Sequence, residues 1–260
     1  MKKMVFMVLT LGLILGSTTV AAAQFGQAYL EYKHYEGYDS YYAPKIGAYW
    51  GSDKWLAYWG HTSSGYNDDY CGVGYNFSKK IHLEMEYDNN DDSTSNLLKM
   101  STNQPLTKNL SLYGEASLTA YDSKTWQDSD DLKLTIGLQW QINPDFNASL
   151  NLYSIRSNVD YSLTNYDNHT FGRVVAFWYR VYKPLSIWGN YTWRDIDYQD
   201  KSVEESQKES CGAFSFGASY ALNKKYSIYF SYYRDLDKTI ADLPAVNAKT
   251  VIFGLSYNFY

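Results

Sequence analysis

The chain has 260 residues, with 23 Lys+Arg against 28 Asp+Glu and a formal net charge of −5, and an acidic chain without a basic block is excluded as a nucleic-acid binder. Tyr, Phe and Trp number 28, 11 and 8, or 18% of all residues, yet beyond the N-terminus no window offers the roughly 18 consecutive apolar residues of a transmembrane helix, which excludes a helical membrane protein. Two cysteines, Cys71 and Cys211, are too few for a disulfide framework and read as isolated small residues near strand ends.

In chain order, Met1-Lys2-Lys3-Met4 precedes an apolar run from Val5 to Leu15 and small residues ending Ala21-Ala22-Ala23. This is the layout of a secretory signal peptide. Cleavage after Ala23 leaves Gln24 as the mature N-terminus, so residues 1–23 are the expected leader and 24–260 one domain. The apolar run is shorter than the roughly 20 residues of a membrane anchor. Loss of Lys2 and Lys3 leaves the remainder more acidic.

Period-two alternation and turn residues then give strands at 26–34, 42–51, 54–63, 68–78, 80–89, 95–105, 110–121, 131–142, 146–157, 170–182, 185–195, 211–222, 225–235 and 248–260. The cleanest places Lys133, Thr135, Gly137, Gln139 and Gln141 on one face and Leu132, Leu134, Ile136, Leu138, Trp140 and Ile142 on the other. One face suits water and the other hydrocarbon. Asn143-Pro144-Asp145 then turns the chain, and 146–157 repeats the pattern. Apolar residues spread thinly among Ser, Thr, Asn, Gly and charge across an even number of strands describe a single antiparallel transmembrane β-barrel, all-β, of about fourteen strands. Short connections at 52–53, 78–79, 106–109, 143–145, 183–184 and 223–224 alternate with longer ones. The short ones are expected as periplasmic turns and the longer ones as extracellular loops, with both termini in the periplasm.

Acid concentrates in the segments assigned to loops: Asp68-Asp69, Asp91-Asp92, Asp128 to Asp131, Asp195 to Asp200, Glu204-Glu205 and Asp235-Leu-Asp237. Their spacing fits no calcium loop, so they read as solvated charge and no metal or cofactor is expected. At the C-terminus Val251, Phe253, Leu255, Tyr257 and Phe259 share one face, and Gly254-x-x-Tyr257-x-Phe259 resembles the aromatic insertion signal of outer-membrane barrels, with Tyr260 one residue beyond it. Outward Trp50, Trp55, Trp140, Trp193 and Tyr257 are expected as interfacial girdles.

The stretch Tyr29-Leu-Glu-Tyr-Lys-His-Tyr-Glu-Gly-Tyr38, the strand Trp55-Leu-Ala-Tyr-Trp59, Gly137-Leu-Gln-Trp-Gln-Ile142 and the terminal Gly-Leu-Ser-Tyr-Asn-Phe resemble the monomeric outer-membrane porin G (OmpG) family. The twelve-stranded oligogalacturonate porin (KdgM) group is the nearest competing resemblance. The former implies a fourteen-stranded monomeric pore; a ring of that size is expected to pass ions and small hydrophilic solutes, and aromatic residues on the wet face add oligosaccharides as an alternative solute. The chain looks shorter than typical porin G proteins and has no His after His169, which speaks against long gating loops and histidine gating. Expected partners are outer-membrane lipid and lipopolysaccharide, the barrel-assembly machinery and small hydrophilic solutes, with no nucleic acid.

Alternation assigns Glu31, Lys33, Lys45, Glu84, Glu86, Asp88, Lys99, Glu115, Lys133, Arg180 and Arg194 to the wet face as charged pore-lining residues, and Tyr29, Tyr49, Tyr113, Tyr153, Trp178, Trp188 and Tyr229 as aromatic ones. Glu84, Glu86, Asp88 and Glu115 form an expected acidic arc and Lys133, Arg180 and Arg194 a basic one, a division that Lys33, Lys45 and Lys99 blur; the alternative is that each charge merely keeps the lumen wetted. Gly254, Tyr257 and Phe259 carry the insertion signal. The rival chemistry is His61-x-Ser63, which resembles the His-x-Ser of outer-membrane phospholipases and lipid A deacylases. Ser64 stands where those families have Asn, and the sequence offers no third residue to orient the histidine. The expectation is therefore a non-enzyme with no catalytic residue; a closed structural or adhesion barrel is the third alternative.

Overall fold

The computed structural model describes residues 25–36, 41–63, 67–123, 128–160, 165–200, 205–236 and 248–259. The expected leader, Gln24 and Tyr260 lie outside the described residues. Fourteen strands follow in order: β1 (Phe25–Glu36), β2 (Tyr41–Gly51), β3 (Trp55–Thr62), β4 (Asp68–Ser78), β5 (Ile81–Asn90), β6 (Ser93–Pro105), β7 (Leu110–Ser123), β8 (Asp128–Asn143), β9 (Phe146–Asp160), β10 (Asn165–Tyr182), β11 (Leu185–Asp200), β12 (Glu205–Ala221), β13 (Tyr226–Leu236) and β14 (Lys249–Asn258). Each pairs antiparallel with its sequence neighbours, and β1 closes on β14 from Gln27 opposite Asn258 to Glu36 opposite Lys249. Closure leaves no edge strand whose amides would be stranded in hydrocarbon.

The outer face repeats the apolar half of the alternation. Along β8, Leu132, Leu134, Ile136, Leu138 and Trp140 are all exposed, as are Leu150 and Leu152 on β9, Phe171, Val175 and Phe177 on β10, and Phe253 and Leu255 on β14. A contiguous apolar belt of this extent far exceeds the few hundred Å² that a water-soluble monomer tolerates. Among the described residues the buried apolar side chains are only Ala43, Ala57, Cys211 and Ala213, and Ala57 faces outward. The molecule is a wall and has no filled core. Trp50 and Trp55 flank one short turn, Trp140 lies near another, and Trp193 stands toward the opposite rim, all on the outer face.

The wall is taller on one side than the sequence pattern shows. Strands β8 to β12 run to 128, 160, 165, 200 and 205, where alternation had ended them near 131, 157, 170, 195 and 211. Beyond the apolar belt both faces of a strand meet water, so the backbone ladder continues after the polar–apolar period has vanished. Asp128 to Asp131 and Asp195 to Asp200 therefore lie in strands and not in loops, as do Asp68, Asp69 and Asp235. Asp91-Asp92 is only a two-residue link between β5 and β6. Cys211 consequently lies within β12, on the inner face, while Cys71 lies on the outer face of β4. Both thiols are free.

The last strand is fixed by aromatic contacts as well as by its ladder. The Phe259 amide donates to Gly26 O at 3.1 Å, and its ring occupies the space that a Cβ on Gly26 would need. Tyr257 packs on Tyr226 with centroids 5.1 Å apart. Replacing Tyr257 and Phe259 together with Asn is expected to reduce the yield of the heat-modifiable folded barrel on electrophoresis. Wild-type yield would show that these rings do not drive closure.

Candidate functional site

Because side chains alternate along a strand, the exposed apolar residues fix which set faces inward. That set is odd-numbered in β1, β2, β7, β8, β9, β12 and β13 and even-numbered in β3, β4, β5, β10, β11 and β14, while β6 presents Leu97, Lys99 and Ser101. Each of the eighteen charged and aromatic residues singled out from the sequence has the inward parity.

The half of the wall from β13 through β1 to β8 is crowded. Tyr229 donates to Glu31 Oε1 at 2.6 Å, and Glu31 stands opposite Lys45 in the β1–β2 register. Tyr49 donates to Gln27, which donates in turn to Asn258, both at 2.8 Å. The Tyr29 and Tyr70 hydroxyls bond to each other, and Lys45 Nζ lies 4.5 Å from the Tyr70 ring centroid. Tyr58 donates to Glu84 at 2.8 Å and to Glu86 at 2.5 Å. Glu84 also holds Lys99 at 2.7 Å and His82 at 3.4 Å. Glu115 accepts from Tyr113 at 2.5 Å and lies 3.4 Å from Lys133. On the far side Arg194 and Tyr233 share Asp235, at 2.9 and 2.6 Å.

These pairs correct the expectation of separate acidic and basic arcs. Lys99 stands directly opposite Glu84 in the β5–β6 register, and Lys133 reaches back to Glu115 on β7. Half-desolvated carboxylates on a wall with strands ~4.8 Å apart gain most from a cation on the adjoining strand. Arg180 is drawn out of the central wall: its guanidinium binds Asp145 in a turn at 3.2 Å and lies 5.4 Å from the Trp178 ring. It belongs to the rim.

The middle of the opposite wall is built small. Asn151, Val174, Thr192 and Ala213 form one inward row, and Ser149, Ala176, Asn190 and Ser215 the next. At this level the side chains of β9 to β12 intrude least into the lumen. Several inward rings also lie back against the wall: a Cβ on Gly172 would collide with the Tyr153 ring, and one on Gly254 with Tyr229. In both cases the ring covers a glycine directly across the strand pair, which leaves its free face toward the lumen.

Tyr58, Tyr70, Tyr233 and Asp235 belong to this network without having been singled out. Tyr58 sits in Trp55-Leu-Ala-Tyr-Trp59, where both faces are apolar or aromatic and alternation carries no contrast; Asp235 fell in a presumed loop. The inward glycines Gly60 and Gly72 opposite Tyr70 and Tyr58 were the available signal. On the outer face, His61 Nδ1 lies 2.9 Å from Asp69 Oδ1, a partner that sequence reading had not found.

No family model and no curated protein matches the chain. Solved structures match it at the level of the fold. The loop-deletion form of OmpT, an outer membrane protein of Vibrio cholerae, is 9% identical with a TM-score of 0.55, covering 92% of this chain and all of that one. The Pseudomonas putida toluene transporter TodX is 10% identical with a TM-score of 0.54, covering 90% and 89% of the two chains. The NanC porin is 9% identical with a TM-score of 0.52, covering 88% and 98%. The fold is that of outer-membrane barrels, and these likenesses do not reach the porin G or oligogalacturonate porin groups in particular.

Gly172→Ala is expected to push the Tyr153 ring off the wall and into the lumen. Single-channel conductance of the refolded barrel should fall, with a stability loss of about 1–3 kcal/mol typical of overpacking. Unchanged conductance would place Tyr153 away from the conducting path.

Proposed function

We propose that the chain is a monomeric porin of the bacterial outer membrane, exported by its N-terminal signal peptide, that lets ions and small hydrophilic solutes diffuse through its lumen. The observation that carries this reading is a closed ring of fourteen strands whose inward face is mostly charged, hydroxylic or amidic, with glycines and scattered small or apolar residues between. Strands ~4.8 Å apart and tilted ~40° give a backbone diameter of roughly 28 Å, and side chains on both walls leave on the order of 15 Å. Eight-stranded rings fill with side chains, whereas sixteen-stranded ones hold water. The many tyrosine and ion-pair contacts run along the wall between near strands, which braces it without bridging the lumen. The porin G resemblance supports the monomeric state. Lipopolysaccharide against the apolar belt and the assembly machinery at β14 are the partners that this reading implies.

Two details refine the solute. Inward carboxylates (Glu31, Asp68, Glu84, Glu86, Asp88, Glu115, Asp131, Glu209 and Asp235) outnumber inward cations, and charged rings set which ions pass. The preference is for cations. Trp178 and Trp188 stand directly opposite each other in the β10–β11 register, beside the small-residue wall, and offer apolar ring faces to a sugar. Oligosaccharides are thus within the solute range.

Planar-bilayer recording tests the reading. The wild-type barrel should conduct with a cation-selective reversal potential in a salt gradient, and Glu84→Gln, Glu86→Gln and Glu115→Gln together should move that potential toward anions. The shift should shrink near 1 M salt, where the Debye length is about 3 Å. A barrel that folds but passes no current would overturn the pore assignment. An unmoved potential in the triple variant would mean that these carboxylates do not face the ion path.

A further inference from the structure

We propose that the turn end of the barrel is a collar of lysines that selects anionic phospholipid headgroups from the leaflet it meets. The inference rests on the barrel spanning a bilayer, and it is independent of whether the lumen conducts.

Six short turns close the wall at the end where β1 begins and β14 ends: those joining β2 to β3, β4 to β5, β6 to β7, β8 to β9, β10 to β11 and β12 to β13. Five of the six carry exposed lysine: Lys54 in the first, Lys79 and Lys80 in the second, Lys108 in the third, Lys183 in the fifth, and Lys224 with Lys225 in the last. The carboxylates in these turns are Asp53 and Asp145, and Asp145 is already held by Arg180 at 3.2 Å. None of the seven lysines forms an ion pair among the described residues. The opposite rim instead exposes acid, at Asp69, Asp91, Asp92, Asp128 and Asp130. Since the chain as a whole carries a net charge of −5, the collar is a segregation of charge to one end and not a general excess of base.

Depth and distribution identify what the collar meets. The turns are short, so each ammonium group stays within a side chain's length of the apolar belt. Phe77 lies two residues before Lys79, Leu106 two before Lys108 and Leu222 two before Lys224, while Tyr226 directly follows Lys225; these four are 64%, 53%, 53% and 41% exposed. A lysine beside such a residue at the edge of the belt rests its stem on hydrocarbon and puts its charge in the polar headgroup layer. The lysines also go round the ring. Turns recur at every second strand, roughly 12 Å apart along the rim. A docked protein would favour one concentrated patch, and a solute in the lumen would need inward side chains, whereas a leaflet surrounds the barrel as the lysines do. Each lysine close to an anionic surface is worth about a fivefold preference.

The test uses the refolded full-length barrel in phosphatidylcholine vesicles. Electron spin resonance of trace spin-labelled phosphatidylglycerol or phosphatidylcholine reads which lipid is held against the protein. Phosphatidylglycerol should be preferred roughly threefold at low salt, the fivefold gain averaged over both leaflets, and the ratio should fall toward one near 1 M salt, where the Debye length is about 3 Å. The net charge of −5 acting as a whole would give the opposite sign, so a preference reports the collar. Lys79→Gln, Lys80→Gln, Lys224→Gln and Lys225→Gln together should remove most of it, whereas Lys79→Arg, Lys80→Arg, Lys224→Arg and Lys225→Arg should retain it. Heat-modifiable migration reports folding, and the salt dependence of the wild type decides by itself where the glutamine variant does not fold. A folded wild-type barrel without the preference, or a glutamine variant that keeps all of it, would overturn the proposal. So would retention of the detergent-solubilised barrel on immobilised heparin without any lipid preference, which would assign the collar to a soluble polyanion. A barrel that shows the lysine-dependent preference and does not conduct would uphold the proposal while overturning the pore.

Discussion

The backbone hydrogen-bond circuit is the constraint on which everything else rests. In hydrocarbon an unpaired amide or carbonyl costs several kcal/mol, and a sheet escapes that cost only by closing. Closure of β1 on β14 has a second consequence. Because the side-chain period is two, fixing the register of one strand fixes which residues of all fourteen meet lipid and which meet the lumen. The register shifts at Asn76/Ser78, Gln141/Asn143 and Arg180/Tyr182 all fall beside short turns, so parity is kept through the body of the wall.

With no filled core, close packing has to be found within the wall itself. Cross-strand pairs supply it: an aromatic ring on one strand covers a glycine on the next, as Tyr153 covers Gly172 and Tyr229 covers Gly254. The ring shields backbone that a larger residue would have covered and, lying flat, takes little of the lumen. The aromatic content that looked excessive for a hydrophilic chain is therefore divided between an outer belt facing lipid and an inner lining pressed against the wall.

How much of this was legible depended on contrast between the two faces. Leu132 to Ile142 could be read residue by residue because one face is wholly apolar and the other wholly polar. Contrast disappears above the belt, which is why Asp128 to Asp131 and Asp195 to Asp200 looked like loops although their ladders continue. It also disappears around Tyr58, where aromatic residues occupy both faces. Ion pairs between strands were hidden for a different reason. Glu115 and Lys133 are separated by a hairpin whose register is set by the turn and both strands together, and His61 meets Asp69 only because β3 and β4 are in the register that places them opposite.

That same register gives one short strand two dissimilar faces. Leu56, Tyr58, Gly60 and Thr62 of β3 face inward, where Tyr58 ties the carboxylates of Glu84 and Glu86 to the wall. Trp55, Ala57, Trp59 and His61 face outward, toward lipid. A slip of one residue between β3 and β4 would exchange the faces, putting His61 in the lumen and Tyr58 in hydrocarbon. The glycines opposite Tyr58 and Tyr70, Gly72 and Gly60, resist such a slip, since each ring finds room only over a residue without a side chain. The inner lining thus locks the alignment on which the outer His61–Asp69 contact depends, although no side chain passes from one face of the wall to the other.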